Sequence, residues 1–155
     1  EPLRQTGATV WVEAVEGSDR MALATLIDRI QQQLPPLRGV FHAAGVLADG
    51  FVANQTVEQF QQVMPAKLEG AWHLHQLTQT LNLDWFVLFS SITSVLGSPG
   101  QGNYGAANAG LDALAQYRRQ QGLPALSINW GPWQGAGMAD HQSATALAQR
   151  GMPPL

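Results

Sequence analysis

Four polar side chains recur at spacings that could bring them into one cleft. The run Trp85-Phe86-Val87-Leu88-Phe89 is unbroken and apolar, and Ser90 and Ser91 follow it. A short apolar run rich in aromatics and valine is the pattern of a strand buried on both faces. The serines then stand at its carboxyl end, the edge at which open parallel sheets bind ligands. Tyr104 comes thirteen residues after Ser91, Asn108 four after Tyr104, and Lys67 twenty-four before the serine. On a helix, Tyr104 and Asn108 share one face. Two hydroxyls, an amide and an ammonium gathered in one place can give a proton to an oxygen and hold the charge that results. Each piece alone has a plainer reading. Serines after a strand are commonly turn or cap residues, a Tyr-x-x-x-Asn pair is commonly packing, and a lysine is commonly solvated. Order and spacing set the group apart.

That order resembles the short-chain dehydrogenase/reductase superfamily and, more narrowly, the ketoreductase domain of modular polyketide synthases. There the lysine precedes the serine and the asparagine follows the tyrosine; in most of the superfamily the two are exchanged. The resemblance implies hydride transfer from NADPH to the β-keto group of a thioester tethered to an acyl carrier protein, beside the other domains of a synthase. It implies Tyr104 as general acid, Lys67 as its electrostatic activator, Ser91 as hydrogen-bond donor to the carbonyl oxygen, and Asn108 as the residue positioning Lys67 or a water. The thirteen-residue spacing selects Ser91 over Ser90. An unperturbed phenol of pKa ~10 is a poor donor near neutrality, and lowering it by about three units takes roughly 4 kcal/mol. One ammonium at ~4 Å supplies about 1 kcal/mol in bulk water and about 4 at an effective dielectric of about 20. Lys67 can therefore serve only in a partly desolvated cleft, helped by the positive charge of the oxidised nicotinamide.

For the cofactor, the resemblance implies Ala43, Ala44 and Gly45 beneath the adenosine and ribose, with Tyr104 and Lys67 also in contact. Glu16 stands where the family usually has an aspartate near the adenine. Gly131, Pro132 and Trp133 match the segment whose backbone meets the nicotinamide carboxamide, and Met138 lies in the matching lid region. Leu47-Ala48-Asp49 resembles the leucine-aspartate-aspartate signature of B-type ketoreductases, which give D-configured hydroxyls, with Ala48 in place of the middle aspartate. Gln101 stands three before Tyr104, where A-type domains place tryptophan, so B-type is expected. The plain alternatives are a turn residue at Asp49 and an ordinary turn at Gly131–Trp133. No metal site is expected: His73 and His75 are two apart, on different helix faces, and His42 is read as a satisfied strand-end residue.

The elements that would carry these residues alternate strand and helix, which argues for βαβ units and a parallel sheet. Thr9–Val12 reads as a strand. Ser18 is a plausible N-cap for a helix whose apolar stripe is Leu23, Leu26, Ile27, Ile30 and Leu34. Gly39–Gly45 reads as a second strand whose small final residues allow close approach of a ligand. Thr56-x-x-Gln59 is a capping box. Pro65 is expected to open a longer helix reaching about Leu81, with Lys67 in its unfavourable first turn. From Tyr104 a helix runs through Leu111, Leu114 and Tyr117 to Arg118 and Arg119, whose charge suits a C-terminus. Gly122 and Pro124 end it. Ala125–Trp130 reads as another strand, Gly131–Ala139 as a Gly-rich loop, and Ser143–Arg150 as helix-like.

Bulk composition fits. The 155 residues suffice for one domain, and 12% charged residues is about half the usual ~25%. A net charge of −3 with no basic cluster argues against nucleic acid or an anionic membrane as partner. The absence of cysteine removes thiolate metal sites and disulfides and fits a reducing cytoplasm. The expected architecture is a Rossmann-like α/β fold without its N-terminal βαβ. No G-x-G-x-x-G follows a strand, although a dinucleotide's pyrophosphate needs that turn. Residues 1–155 are accordingly read as the catalytic portion of a ketoreductase domain, inactive alone, with an exposed sheet edge. The other readings are a fatty-acid-synthase ketoreductase and a non-catalytic Rossmann-like interaction segment.

Overall fold

The computed structural model describes residues 2–133 and 151; Met138, the rest of the expected loop and the helix-like 143–150 lie outside the described residues. Three strands, β1 (Gly39–His42), β2 (Trp85–Ser91) and β3 (Leu126–Trp130), form a parallel sheet in the order β1-β2-β3. His42 pairs with Leu88, and Ser91 with Trp130. Around the sheet lie α1 (Pro2–Gln5), α2 (Arg20–Gln33), α3 (Val57–Met64), α4 (Gly70–Thr78), α5 (Thr93–Leu96) and α6 (Gly102–Gln120). None of the described helices is long and apolar enough to cross a membrane. The architecture is the expected Rossmann-like parallel sheet with flanking helices.

The core forms where β1 and β2 meet α4 and α6: Val40, Phe86, Leu88, Ala71, Leu111, Leu114 and Ala115 are all buried together. The apolar run of β2 is buried at Phe86, Val87 and Leu88, as a central strand requires. Thr56 and Gln59 close the anticipated capping box, with Thr56 N–H donating to Gln59 Oε1 at 2.9 Å.

Several local expectations give way to tertiary context. Thr9–Val12 forms no strand, because a strand exists only through its neighbours' hydrogen bonds and none lies beside it. Val12 is instead 83% exposed, and the outer edge of β1 carries no strand among the described residues, leaving Phe41 64% exposed. Asp19 rather than Ser18 caps α2, accepting from the N–H groups of Met21 and Ala22. Ala43–Gly45 lie beyond the end of β1. Helix α5 follows β2 almost at once, and α6 opens at Gly102, two residues before Tyr104. Arg118 is no solvated end charge: it is fully buried, its guanidinium 3.8 Å from the Phe86 ring centroid and hydrogen bonded to His75 Nδ1.

The largest departure is at Pro65. It opens no helix; α3 runs straight into a π turn, Pro65–Glu69, which continues into α4. Proline has no N–H to give four residues back, and its ring crowds the carbonyl there. The ladder widens accordingly, and Gly70 N–H reaches the carbonyls of Pro65 and Lys67. Lys67 therefore sits mid-rod, away from any helix N-terminus, and the first-turn dipole penalty does not apply. The rod ends at Thr78, three residues short of Leu81.

Candidate active site

Lys67 enters the site from the π turn. It is 3% exposed, and its Nζ donates to the Phe89 carbonyl at 3.0 Å. The same nitrogen lies 5.2 Å from the centroid of the Tyr104 ring, within cation–π range. Burial pushes its pKa down to about 8. Its stem passes Gly45 so closely that a Cβ there would sit 2.9 Å from Lys67 Cε, which explains the glycine. Lys67 is also the only lysine in the sequence, a signal that spacing alone did not use.

Tyr104 stands in the first turn of α6. Burial raises the pKa of its phenol; the nearby side chains of Asn108 and Ser91 pull the other way, and the charge of Asp49 adds to the rise. Burial thus favours the protonated phenol instead of depressing its pKa, and Lys67 meets the ring face and the Phe89 carbonyl. Ser91 Oγ accepts from Thr93 N–H at 3.2 Å, which leaves the hydroxyl proton free to donate elsewhere. Asn108 is fully buried and spends its Nδ2 on the Tyr104 carbonyl at 2.8 Å, while its Oδ1 has no hydrogen-bond partner. The four residues therefore converge. Ser90 faces away: its Oγ donates to the Asn108 carbonyl at 3.2 Å and ties β2 to α6.

Beneath the four lies a cluster the sequence reading missed. Asp112 accepts from Ser127, from Ser94 at 2.6 Å and from Asn129 Nδ2 at 2.8 Å. Burial opposes its ionisation, but the hydroxyls of Ser127 and Ser94, the Asn129 amide and Ser90 outweigh it and hold the carboxyl below its usual range. Asn129 also donates to the Ser91 carbonyl at 3.3 Å, so the cluster binds α6, α5, β2 and β3 just below the serine. The signal was present: Tyr104, Asn108 and Asp112 form one stripe at four-residue intervals.

Asp49 and Gln101, 52 residues apart, meet directly, Gln101 Nε2 donating to Asp49 Oδ2 at 3.1 Å. Their loops are zipped together by Gly50 N–H to the Gly100 carbonyl at 2.8 Å. Buried Asn103 fixes the same loop, donating to the carbonyls of Ala48 at 2.8 Å and Gln59 at 3.1 Å. Ala43 and Ala44 are exposed beside Gly45, a shallow, small-residue floor next to Lys67. Gly131, Pro132 and Trp133 leave β3; the Trp133 ring packs on Trp130, which packs on Phe89, the residue whose carbonyl holds Lys67. The Glu16 carboxylate accepts from the Ser18 hydroxyl at 3.1 Å. For a dinucleotide the residues fit one end only. The small floor at Ala43–Gly45 and the unobstructed Gly131 suit a ribose and carboxamide, and among the described residues no glycine-rich pyrophosphate turn follows a strand.

A family model described as "KR domain" matches residues 1–135. The chain is 46% identical over 157 aligned residues to the phenolphthiocerol synthesis polyketide synthase type I Pks15/1 of Mycobacterium marinum, covering 99% of this chain and 8% of that one. The ketoreductase from the first module of phoslactomycin biosynthesis in Streptomyces sp. HK803 superposes with a TM-score of 0.93 at 46% identity, covering 99% of this chain and 35% of that one. A solved A-type ketoreductase from a modular polyketide synthase gives 0.91 at 47% identity, covering 99% and 32%. The chain thus spans about a third of the solved ketoreductases it matches and under a tenth of the synthase.

Proposed function

The chain belongs to the KR domain family, the ketoreductases of polyketide synthases, and from that premise we propose that it carries the catalytic portion of an NADPH-dependent β-ketoacyl reductase. The substrate is a β-ketoacyl thioester on an acyl carrier protein, in a cytoplasmic synthase whose other domains are its partners. When bound, NADPH supplies the hydride that reduces the β-carbon. Tyr104 gives its proton to the carbonyl oxygen, so that hydride and proton together turn the ketone into an alcohol. A phenol kept protonated by burial is loaded for this direction. Ser91, whose Oγ accepts from Thr93 N–H, would donate its proton to the same oxygen. Lys67 stabilises the phenolate once the proton has left, and Asn108 Oδ1 accepts from a water or from Lys67.

Ala43, Ala44, Gly45, Gly131, Pro132 and Trp133, with Tyr104 and Lys67, would hold the nicotinamide end, and the rest of the cofactor needs a half-domain beyond these residues. Glu16 is assigned to the adenine side. The chain by itself is proposed to be inactive. Asp49 and Gln101, joined at the cleft mouth, are assigned to control of the face attacked, as a B-type enzyme giving a D-hydroxyl.

The observation that carries the reading is the ammonium of Lys67, desolvated and 5.2 Å from the Tyr104 ring centroid, with Ser91 and Asn108 beside the phenol. The test is NADPH oxidation with a β-keto thioester by the domain extended with its cofactor-binding half. Tyr104→Phe is expected to lower kcat by about 10²- to 10⁴-fold. Equal rates would remove the catalytic assignment and leave a non-catalytic interaction segment.

A further inference from the structure

Lys67 is held at three points, and its ammonium is only one of them. The second is its stem, fitted against Gly45. The third is its backbone. The ring of His42, at the end of β1 and 6% exposed, lies with Nε2 2.8 Å from the Lys67 carbonyl oxygen. A carbonyl only accepts, so Nε2 carries the proton. Burial, partly offset by this hydrogen bond to the Lys67 carbonyl and reinforced by the nearby ammonium, pushes the imidazole below its usual 6.5 and keeps it neutral at physiological pH.

The π turn presents the carbonyl for this contact, and a glycine borders each partner. In the widened turn the Lys67 carbonyl shares the Gly70 N–H with Pro65, and the histidine supplies it with a second donor. Turns of this kind inside helices are frequent at functional sites. A Cβ at Gly70 would come within 3.4 Å of His42 Cε1, and one at Gly45 within 2.9 Å of Lys67 Cε. Gly45 therefore keeps space clear for the stem, and Gly70 packs against the Gly17 backbone and the edge of the imidazole.

We propose that His42 is a positioning residue for Lys67. By fixing the π turn at the lysine's own carbonyl, it sets the height and direction from which the ammonium meets Tyr104. The proposal rests on the reading of Lys67 and Tyr104 as the working pair. A core histidine that merely stabilised the fold would change the melting temperature and leave the turnover of folded molecules alone.

The test compares His42→Gln and His42→Leu with the unmodified extended domain, following NADPH oxidation with a β-keto thioester from pH about 6 to about 10. A glutamine amide nitrogen reaches nearly where Nε2 lies and restores the donor; leucine removes it. His42→Leu is expected to lose about 10- to 10²-fold in kcat with KM nearly unchanged. Its alkaline limb should move to higher pH, because the phenolate loses its cation. His42→Gln should keep most of the activity and the original limb. A folded leucine variant with unmodified kcat and pH profile overturns the proposal, and so does a folded glutamine variant as slow as the leucine one. Should both variants fail to fold, nitrogen-15 histidine spectra of the unmodified domain decide. A protonated, slowly exchanging Nε2 whose resonance moves when the sole lysine of residues 1–155 is replaced supports the proposal, and a bare or insensitive Nε2 overturns it. An unmodified domain without activity, or one indifferent to Tyr104→Phe, sinks the functional reading and this proposal together. An active, Tyr104-dependent domain indifferent to His42 sinks this proposal alone.

Discussion

Replacing Lys67 with methionine should make the protein more stable and, in the extended domain, nearly abolish activity. The ammonium is 3% exposed, and burial has taken its pKa from 10.5 to about 8. At about 1.36 kcal/mol per unit, carrying that charge into the fold costs on the order of 3 kcal/mol near neutrality. Methionine fills a similar volume without the charge. It also removes the donor to the Phe89 carbonyl, which returns about 1–3 kcal/mol of the gain. The net at pH 7 is a stabilisation of about 1 kcal/mol.

The pH dependence is the sharper test. The folded pKa lies below the unfolded one, so between about 8 and 10.5 the unfolded chain binds the extra proton. Wild-type stability therefore rises with pH across that window. The penalty is fully present below about pH 8 and is gone above about 10.5. The difference between Lys67→Met and wild type should shift in favour of wild type by on the order of 3 kcal/mol from pH 7 to the top of the window. Urea denaturation of both proteins at a series of pH values measures it, and differences in other titrating groups cancel. A pH-independent difference would mean a solvated lysine. The desolvated cleft on which the electrostatic argument depends would then be refuted, whatever the activity.

Three further outcomes are expected. Asp112→Ala strands the donors of Ser94, Ser127 and Asn129 and should cost about 2–4 kcal/mol in denaturant titrations, with kcat falling as the Ser91 strand end loosens. Asp49→Ala frees Gln101 and unzips the cleft mouth, so chiral analysis of the hydroxy product should find the D-isomer diluted by its antipode; an unchanged product counts against the stereochemical assignment. His42 and His75 both have pKa values lowered first by burial, so the unfolded chain protonates before the folded one. Their contribution to stability is complete above the ordinary 6.5 and is lost as pH falls below it, which thermal melts between pH about 7.5 and about 5 would register.

The sequence by itself determined what lies within a few residues of its cause. The capping box of Thr56 and Gln59, the buried run of β2 with two serines at its end, and the shared face of Tyr104 and Asn108 follow from local periodicity and side-chain chemistry. The Lys-Ser-Tyr-Asn order carried the family with it. Only the tertiary structure decided what depends on distant partners. Thr9–Val12 has strand-like residues and forms no strand, since pairing is not local. Arg118 reads as a helix-end charge and lies buried against Phe86, 32 positions away. Asp49 and Gln101 become neighbours only when two loops are zipped together. Lys67, read as a first-turn residue, is instead seated in a π turn and stripped of water by elements that the sequence places far apart. Desolvation is a property of everything around a group at once, so the two pKa values that matter most here, those of Lys67 and Tyr104, are set by the assembled fold.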